Sequence, residues 1–375
     1  MRTWIGILWL AGMSVLAQAA EYPSEQGTLQ VEEMVGGLEH PWSMAFLPGD
    51  EGLLITERPG RLRLLRVDGA LSAPLEGTPS VYAHGQGGLL DVALSPNFEQ
   101  DRFVYLAYAE AGDGKAGTAV GRGRLNENGT RLEGFQRIFQ QQPKLSTGIH
   151  FGARLVFDRD GYLFIALGEN NQRPTSQDLG KLQGKLVRLH ADGRVPADNP
   201  FVDHPGARAE IWSYGHRNPQ GVALDPHTGK LWLHEHGPRG GDEINIPHAG
   251  RNYGWPLATH GINYSFMAIP EAKGKTVEGT EPPHYVWEQS PAISGMAFYA
   301  HDRFPAWSNN LFIGALKGEL IRLQLDGERI VHEERLLGQR GKRIRDVRQG
   351  PDGYLYLLTD EAQGQLLRVG LQPRR

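Results

Sequence analysis

The sequence contains no cysteine among its 375 residues. This absence excludes disulfide bonds, thiol catalysis and cysteine-ligated zinc, so a large hydrophobic core has to stabilise the fold. An excess of basic residues is also missing, because Lys and Arg total 39, Asp and Glu total 43, and the net charge is −4. A chain of this charge does not have the composition of a nucleic-acid-binding protein. After residue 20, no apolar run is long enough to span a membrane.

The first 20 residues differ in character from the rest of the chain. Arg2 is followed by an uncharged apolar run at residues 4–16 and by the small-x-small pattern Ala-Gln-Ala at residues 17–19. A membrane anchor is the alternative, but the run is shorter than the ~20 residues that a spanning helix needs. We therefore predict a cleavable signal peptide at residues 1–20, export to the periplasm, and a single domain at residues 21–375.

The 49 glycines and 24 prolines indicate many turns between short strands. Six segments repeat one plan, in which an apolar run, a turn and a second apolar run predict a β-hairpin. After several of these, runs that alternate apolar and charged residues predict half-exposed strands. The six segments are residues 42–57, 89–108, 147–169, 220–235, 295–317 and 345–360, and the alternating runs are residues 61–66, 185–190, 319–324 and 365–369.

The repeat predicts an all-β fold, a six-bladed β-propeller with four-stranded antiparallel blades. A strand at residues 29–35 would complete the last blade and close the ring. The uneven spacing of the repeats predicts insertions, the longest of them at residues 111–146 and 255–290. Two packed β-sandwiches are the alternative architecture.

Polar side chains precede the first apolar run in most of the repeats. In a propeller the innermost strands all begin on one face, so these residues should converge around the central channel. Each of them alone is more commonly a rim charge, a turn cap or a packed histidine. Together they predict a cationic, donor-rich bowl that suits a small polyanion, because arginine binds carboxylates bidentately. The set comprises Gln86, His150, Arg217, Asn218, Ile293, Ser294, Arg343 and Arg345.

A second cluster of candidate ligands lies at residues 232–245. His234 and His236 would point to opposite faces of a strand, which argues against a zinc site made from this pair. Asp242, Glu243 and Asn245 lie among glycines and offer the oxygen donors that Ca²⁺ prefers, although their spacing is not that of an EF-hand.

Eight motifs in this order resemble the soluble quinoprotein aldose and glucose dehydrogenases, which bind pyrroloquinoline quinone (PQQ) on six-bladed propellers. Each motif alone is weak, whereas the ordered set is specific and covers nearly all of the chain after residue 38. The motifs are residues 86–91, 150–155, 215–221, 234–238, 241–245, 252–256, 315–318 and 343–346.

The resemblance implies a role for each matching residue. His150 would be the general base that removes the proton of the sugar's anomeric hydroxyl, and Arg217 would stabilise charge on the quinone oxygens. The carbonyls of Gly237 and Pro238 would bind a Ca²⁺ that also contacts PQQ, and Glu243 and the Tyr253 carbonyl would bind a second Ca²⁺. The implied PQQ contacts are Gln86, Arg217, Asn218, Tyr264, Ala315, Leu316, Lys317, Arg343, Ile344 and Arg345.

One departure from the family concerns the residue before His150. Glucose-preferring members have an aspartate there, whereas this chain has Ile149. The loss of a carboxylate that could contact the sugar or orient the imidazole favours a broad-range aldose dehydrogenase over a glucose enzyme. We expect a monomer that passes electrons to an external quinone, cytochrome or dye. A calcium-dependent sugar lactonase and a non-catalytic carbohydrate- or quinone-binding propeller are the alternative functions.

Overall fold

The computed structural model describes residues 19–374, so most of the predicted signal peptide lies outside the described residues. None of the helices in this part of the chain is long and apolar enough to cross a membrane. The helices are single turns, namely α1 (Phe98–Asp101) and the 3₁₀ segments Arg173–Gln177, Pro305–Trp307 and Gly338–Arg340. Nearly all regular structure is therefore strand.

Six antiparallel sheets form the blades of a propeller, which confirms the predicted fold class. The first strand of each blade is the innermost one. Each innermost strand contacts those of the two neighbouring blades, so that the six form a closed circle around the central channel. In chain order the blades are β3 (Pro41–Leu47), β4 (Gly52–Glu57) and β5 (Arg61–Leu65); β6 (Leu89–Leu94), β7 (Phe103–Gly112), β8 (Lys115–Leu125) and β9 (Leu132–Gln140); β10 (Gly152–Phe157), β11 (Leu163–Leu167), β12 (Lys185–Leu189) and β13 (Ile211–Tyr214); β14 (Pro219–Leu224), β15 (Leu231–Glu235), β16 (Asp242–Asn245) and β17 (Tyr285–Trp287); β18 (Ile293–Phe298), β19 (Asn310–Ala315), β20 (Glu319–Asp326) and β21 (Arg329–Leu336); and β22 (Ile344–Gln349), β23 (Leu355–Thr359) and β24 (Gly364–Pro373), joined by β2 (Gly27–Leu38) and β1 (Ala20–Ser24).

The ring closes in the sixth blade through strands from both ends of the described chain. Strand β2 pairs antiparallel with β24, so the predicted closing strand is confirmed and is longer than residues 29–35. Because β1 pairs with the outer edge of β2, this blade has five strands. The first blade has three, since the chain after β5 makes only isolated backbone hydrogen bonds to it, such as those from Ser72 and Leu75.

The insertion predicted at residues 111–146 is wrong, because this segment contains all of β8 and β9. Strand β8 has three glycines and only two large apolar residues after Ala119, and β9 places its apolar residues irregularly among polar ones, so neither strand shows the pattern of an apolar run. The ring of Phe135 packs where Gly121 leaves space, and a Cβ on Gly121 would lie 2.5 Å from that ring. By contrast, residues 255–290 do form a long insertion, with only β17 as regular strand.

The apolar core lies between neighbouring blades, as the packing of Phe164 in the third blade against Val222 in the fourth illustrates. The prediction of half-exposed strands fails for β12, all of whose residues are buried. Lys185 donates hydrogen bonds to the carbonyls of Thr175, Ser176 and Gln183, which satisfy its buried ammonium group.

Candidate active site

A recess opens at the end of the channel where the innermost strands begin, and all six blades contribute to its lining. The predicted convergence of front-edge residues is therefore seen for Gln86, Asn218, Arg343 and Arg345. The complete lining is Trp42, Arg58, Gln86, Leu90, Phe151, Gly152, Asn218, Gln220, His236, Leu316, Arg343 and Arg345.

His150 immediately precedes Phe151 and Gly152, the recess residues of the third blade. Hydrogen bonds of its main-chain N–H and carbonyl groups fix its position. Its peptide N–H donates to Gln86 Oε1 at 2.8 Å, and its carbonyl accepts hydrogen bonds from the main chain and side chain of Asn170. This anchoring fixes a residue whose φ of 56° lies in the left-handed region, a conformation that is costly for a non-glycine residue. The position of the imidazole is thus set by contacts with two neighbouring segments.

Glu169 fixes the orientation and tautomer of the His150 ring. Both carboxylate oxygens lie 3.1 Å from Nδ1, and the glutamate is fully buried. Because a carboxylate only accepts hydrogen bonds, Nδ1 carries the hydrogen and Nε2 keeps its lone pair. Among residues 19–374, Nε2 has no hydrogen-bond partner. With Ile149 before the histidine, it is Glu169 that supplies a carboxylate to orient the imidazole.

The surroundings of His150 favour its neutral form. Burial lowers the pKa of the imidazole below its usual value of about 6.5, and the positive charge of Arg217 lowers it further. Glu169 raises the pKa but does not outweigh these two effects. At neutral pH His150 is consequently an unprotonated base with a free Nε2.

Arg217 is buried and is linked to both His150 and the loop after β15. Its Nη1 donates to the carbonyls of His236 and Gly237 at 3.1 and 2.8 Å, and its own carbonyl accepts from the N–H of Glu169. The guanidinium lies 5.2 Å from the ring centre of Trp255. Its Nε is buried without a hydrogen-bond partner among the described residues, so one donor remains for a ligand.

Arg343 and Arg345 share a counter-ion that the sequence analysis missed. Asp360 Oδ2 accepts from Arg345 at 2.6 Å and from Arg343 at 3.0 Å. Burial raises the pKa of Asp360, but the two guanidinium groups outweigh burial and hold it well below its usual range. Arg345 also donates to Gln220 Oε1, and its Nε has no partner in the described part of the chain. The recess is thus cationic, with part of its charge already compensated.

Three carboxylates of the site occupy equivalent places in their repeats. Glu169 follows the second strand of its hairpin and faces His150, which precedes the first strand. In the same way Glu235 ends β15 and accepts the N–H of Arg217, and Asp360 follows β23 and binds Arg343. The propeller therefore places an acidic side chain beside a front-edge residue in three of its blades.

The remaining predicted cofactor contacts vary in exposure. Leu316 lines the recess, whereas Ala315 and Ile344 are buried in β19 and β22. Tyr264 is 70% exposed and Lys317 is exposed, and neither belongs to the lining. Ile293 and Ser294, two of the front-edge residues, are buried and do not line the recess either.

A network of buried charges forms the floor of the recess. Arg154 donates to the carbonyls of Gln220 and Arg345 at 2.7 and 3.2 Å, and it pairs with Asp346 at 2.9 Å and Asp91 at 3.3 Å. Its guanidinium also stacks over Trp42 at 4.1 Å. One arginine thus connects its own blade to four others directly beneath the lining.

The predicted calcium ligands are mostly main-chain atoms. Within residues 19–374 no group of three or more His, Asp or Glu side chains is arranged to hold a metal ion, so any site here would depend on carbonyls. The carboxylate of Asp242 accepts hydrogen bonds from the N–H groups of Gly237 and Ala292. These bonds fix the loop that carries Gly237 and Pro238.

Glu243, the one predicted side-chain ligand, lies in an acidic environment. Burial and the neighbouring charge of Glu235 raise its pKa well above the usual value. Asn245 donates to both of these carboxylates, at 2.9 and 3.3 Å. Tyr253 lies close by, with its ring stacked on His216, whose Nδ1 contacts Glu235. This cluster has an excess of negative charge that a cation would compensate.

Comparison with known proteins gives consistent matches across the chain. The family model for glucose/sorbosone dehydrogenases matches residues 38–368. The aldose sugar dehydrogenase of Escherichia coli strain K12 is 62% identical over 344 residues, covering 91% of this chain and 93% of that protein.

Solved structures also match at the level of the whole fold. The apo form of the soluble aldose sugar dehydrogenase from Escherichia coli aligns with a TM-score of 0.91 and 61% identity, covering 92% of this chain and 100% of that one. The PQQ-bound aldose sugar dehydrogenase from Streptomyces coelicolor aligns with a TM-score of 0.74 and 30% identity, covering 93% and 100%. The propeller, the recess and these matches together establish that the chain belongs to the glucose/sorbosone dehydrogenase family.

Proposed function

We propose that this protein is a PQQ-dependent sugar dehydrogenase that oxidises the anomeric hydroxyl of aldoses to lactones. The observation that carries the proposal is the free Nε2 of His150, whose ring is held by Glu169 beside the recess that Arg343 and Arg345 line. The names of the relatives agree, since both the Escherichia coli and the Streptomyces coelicolor proteins are aldose sugar dehydrogenases.

The residues of the recess suit an anionic cofactor. Arg217 Nε and Arg345 Nε are buried donors without protein partners in the described chain, and a buried donor left unpaired is unfavourable. Gln86 and Asn218 add amide groups to the lining, to which Arg345 also belongs, whereas Arg217 lies outside the lining. These groups, with Arg343 and Lys317 nearer the exterior, would hold the carboxylates of PQQ, and the segment from Ala315 to Leu316 and Ile344 would support it.

The proposed reaction assigns His150 to proton transfer. Its Nε2 takes the proton of the sugar's anomeric hydroxyl, while Glu169 stabilises the imidazolium that forms. When bound, PQQ supplies the acceptor for the hydride that leaves the anomeric carbon. Arg217 provides a fixed positive charge beside His150, which stabilises negative charge that develops on a bound acceptor.

Calcium would be held by oxygen atoms on either side of β16. The carbonyls of Gly237 and Pro238 belong to a loop that Asp242 fixes, and Glu243 lies with Glu235 in an acidic cluster near Tyr253. A bound Ca²⁺ would supply positive charge at the recess, where it acts as a Lewis acid.

The biological setting is proposed from the sequence. Residues 1–20 have the pattern of a signal peptide, which supports a periplasmic enzyme. The enzyme would work as a monomer and pass electrons to an external acceptor. Ile149 in place of an acidic residue favours a broad range of aldoses.

The test is a reconstitution assay with the purified protein. Apoprotein receives PQQ and Ca²⁺, and reduction of an artificial acceptor dye is followed with a panel of aldoses. We expect dye reduction that requires PQQ and extends to several sugars. Absence of dye reduction with every aldose would refute the dehydrogenase function, and hydrolysis of sugar lactones without PQQ would favour the lactonase. Tight PQQ binding without turnover would indicate a binding protein.

A further inference from the structure

A second cleft lies between the third and fourth blades, on the face opposite the recess. Its residues come from the far ends of the strands, namely the turn after β10, the turn before β15, the ends of β12 and β13 and the segment after β16. The six residues of β10 separate this face from His150 by roughly 20 Å, at about 3.3 Å per residue. The cleft has a volume of about 640 Å³, within the range of small-molecule sites.

Arg188 is the centre of this cleft and is almost completely buried. Its guanidinium lies 4.0 Å from the ring centre of Tyr162 and 4.8 Å from that of Trp212, so both rings restrict its movement. Nη2 is bound by Asp198 at 2.8 Å, whereas Nη1 has no partner among the described residues. A rigid arginine with a free donor beside a cleft is a ready hydrogen-bonding group for a ligand.

The charges around Arg188 favour a neutral ligand. Asp198 forms an ion pair with Arg188. Glu328 from the fifth blade forms another with Lys230, with 2.5 Å between Oε1 and Nζ. Asp160 is exposed and makes no ion pair among the described residues. An anion would meet Asp158, Asp160 and Asp198, and a cation attracted to Asp160 would meet Arg188 and Lys230, whereas a neutral polar ligand is repelled by neither set of charges.

We propose that this cleft is a second carbohydrate site, which binds a neutral saccharide separately from the recess. Hydroxyl groups both donate and accept, so they can pair with Asp160 and with Arg188 Nη1 at once. The apolar face of a pyranose ring would lie against the wall that Trp212 and Ile246 provide. The volume accommodates a short oligosaccharide. This inference concerns a site distant from His150 and does not depend on the redox function.

The experiment measures sugar binding to the protein without PQQ, Ca²⁺ or dye. Isothermal titration with glucose, maltotriose and cellotriose should give saturable binding to the wild type for at least one of them. Asp160→Ala, a change on an exposed turn, should weaken that binding about 10- to 150-fold, as expected for one lost hydrogen bond to a charged group. Arg188→Met should weaken it by at least as much. Asp113→Ala, on the exposed turn between β7 and β8, is the matched control and should have no effect.

One further variant, one further assay and one further probe separate the cleft from the recess. His150→Ala should leave this binding unchanged, and Asp160→Ala should leave the dye-linked turnover of the reconstituted enzyme unchanged. The inference is overturned if no sugar binds saturably below about 50 mM, a limit that corresponds to very weak affinity. It is also overturned if His150→Ala abolishes binding while Asp160→Ala preserves it, or if inorganic phosphate binds in place of the sugars.

Discussion

Glu169→Gln is the substitution that examines the proposed base most closely. The glutamate contacts His150 Nδ1 with both oxygens at 3.1 Å, and the variant keeps the shape of the side chain while removing its charge. The imidazolium that forms when Nε2 takes a proton would lose a charge-assisted hydrogen bond. Such a bond is worth about 1.5–3 kcal/mol, so kcat should fall about 10- to 150-fold.

The same variant predicts a shift in the pH profile. His150 works only when neutral, so kcat/KM should fall as the pH drops through its pKa, which lies below about 6.5 in the wild type. Glu169 raises this pKa, and its neutralisation therefore lowers the pKa further. The acid limb of the profile should move to lower pH, although the maximal rate is smaller.

Dye-linked steady-state kinetics from about pH 4.5 to 8 measure both effects. Titration of PQQ into the variant is the control, because a base-orienting residue should leave cofactor binding intact. The reasoning would be refuted by an acid limb that moves to higher pH. An unchanged rate and an unchanged limb together would exclude Glu169 from the reaction.

Three further predictions concern the floor and the rim of the recess. Arg154→Met should lower the free energy of unfolding by about 3–5 kcal/mol in urea denaturation, because Asp91 and Asp346 lose a buried partner. Asp360→Asn should reduce the loss of stability below about pH 4, since a carboxyl group with a lowered pKa stabilises the fold above its unfolded pKa and this contribution disappears as the pH falls. Lys317→Ala should weaken PQQ binding less than Arg345→Ala in fluorescence titrations, because Lys317 is exposed and Arg345 is buried in the lining; the reverse order would contradict the assignment.

The repeat made much of the fold predictable from the sequence. Apolar runs around glycine turns identify each inner hairpin, and a ring of such hairpins must place its front-edge residues together. Gln86, Asn218 and Arg345 were predicted to lie together for this reason, and all three line the recess. The closing strand was predictable for the same reason, since a propeller without it would leave an unpaired edge.

Contacts between distant side chains were harder to predict. Charged residues in β12 and β20 suggested exposure, yet Lys185 and Arg322 are buried because backbone carbonyls or carboxylates from other segments satisfy them. Strand β8 was missed because glycine replaces the usual apolar residues, and β9 because its apolar residues do not form a continuous run. Glu169 and Asp360 could have been predicted from the sequence. Each follows the second strand of a hairpin, and the residue before the first strand of that hairpin was already a predicted site residue. The two ends of an antiparallel hairpin are neighbours, so the acidic partner could have been inferred from the register alone.

The most direct test of the proposed function compares the wild type with His150→Ala, both reconstituted with PQQ and Ca²⁺. Bound PQQ and dye-linked turnover of an aldose are measured on the same samples. The proposal predicts equal amounts of bound PQQ and a loss of turnover of at least about 100-fold, the usual contribution of a positioned general base. Turnover that survives the substitution, or that falls only in proportion to bound PQQ, would contradict the assignment of His150 as the base.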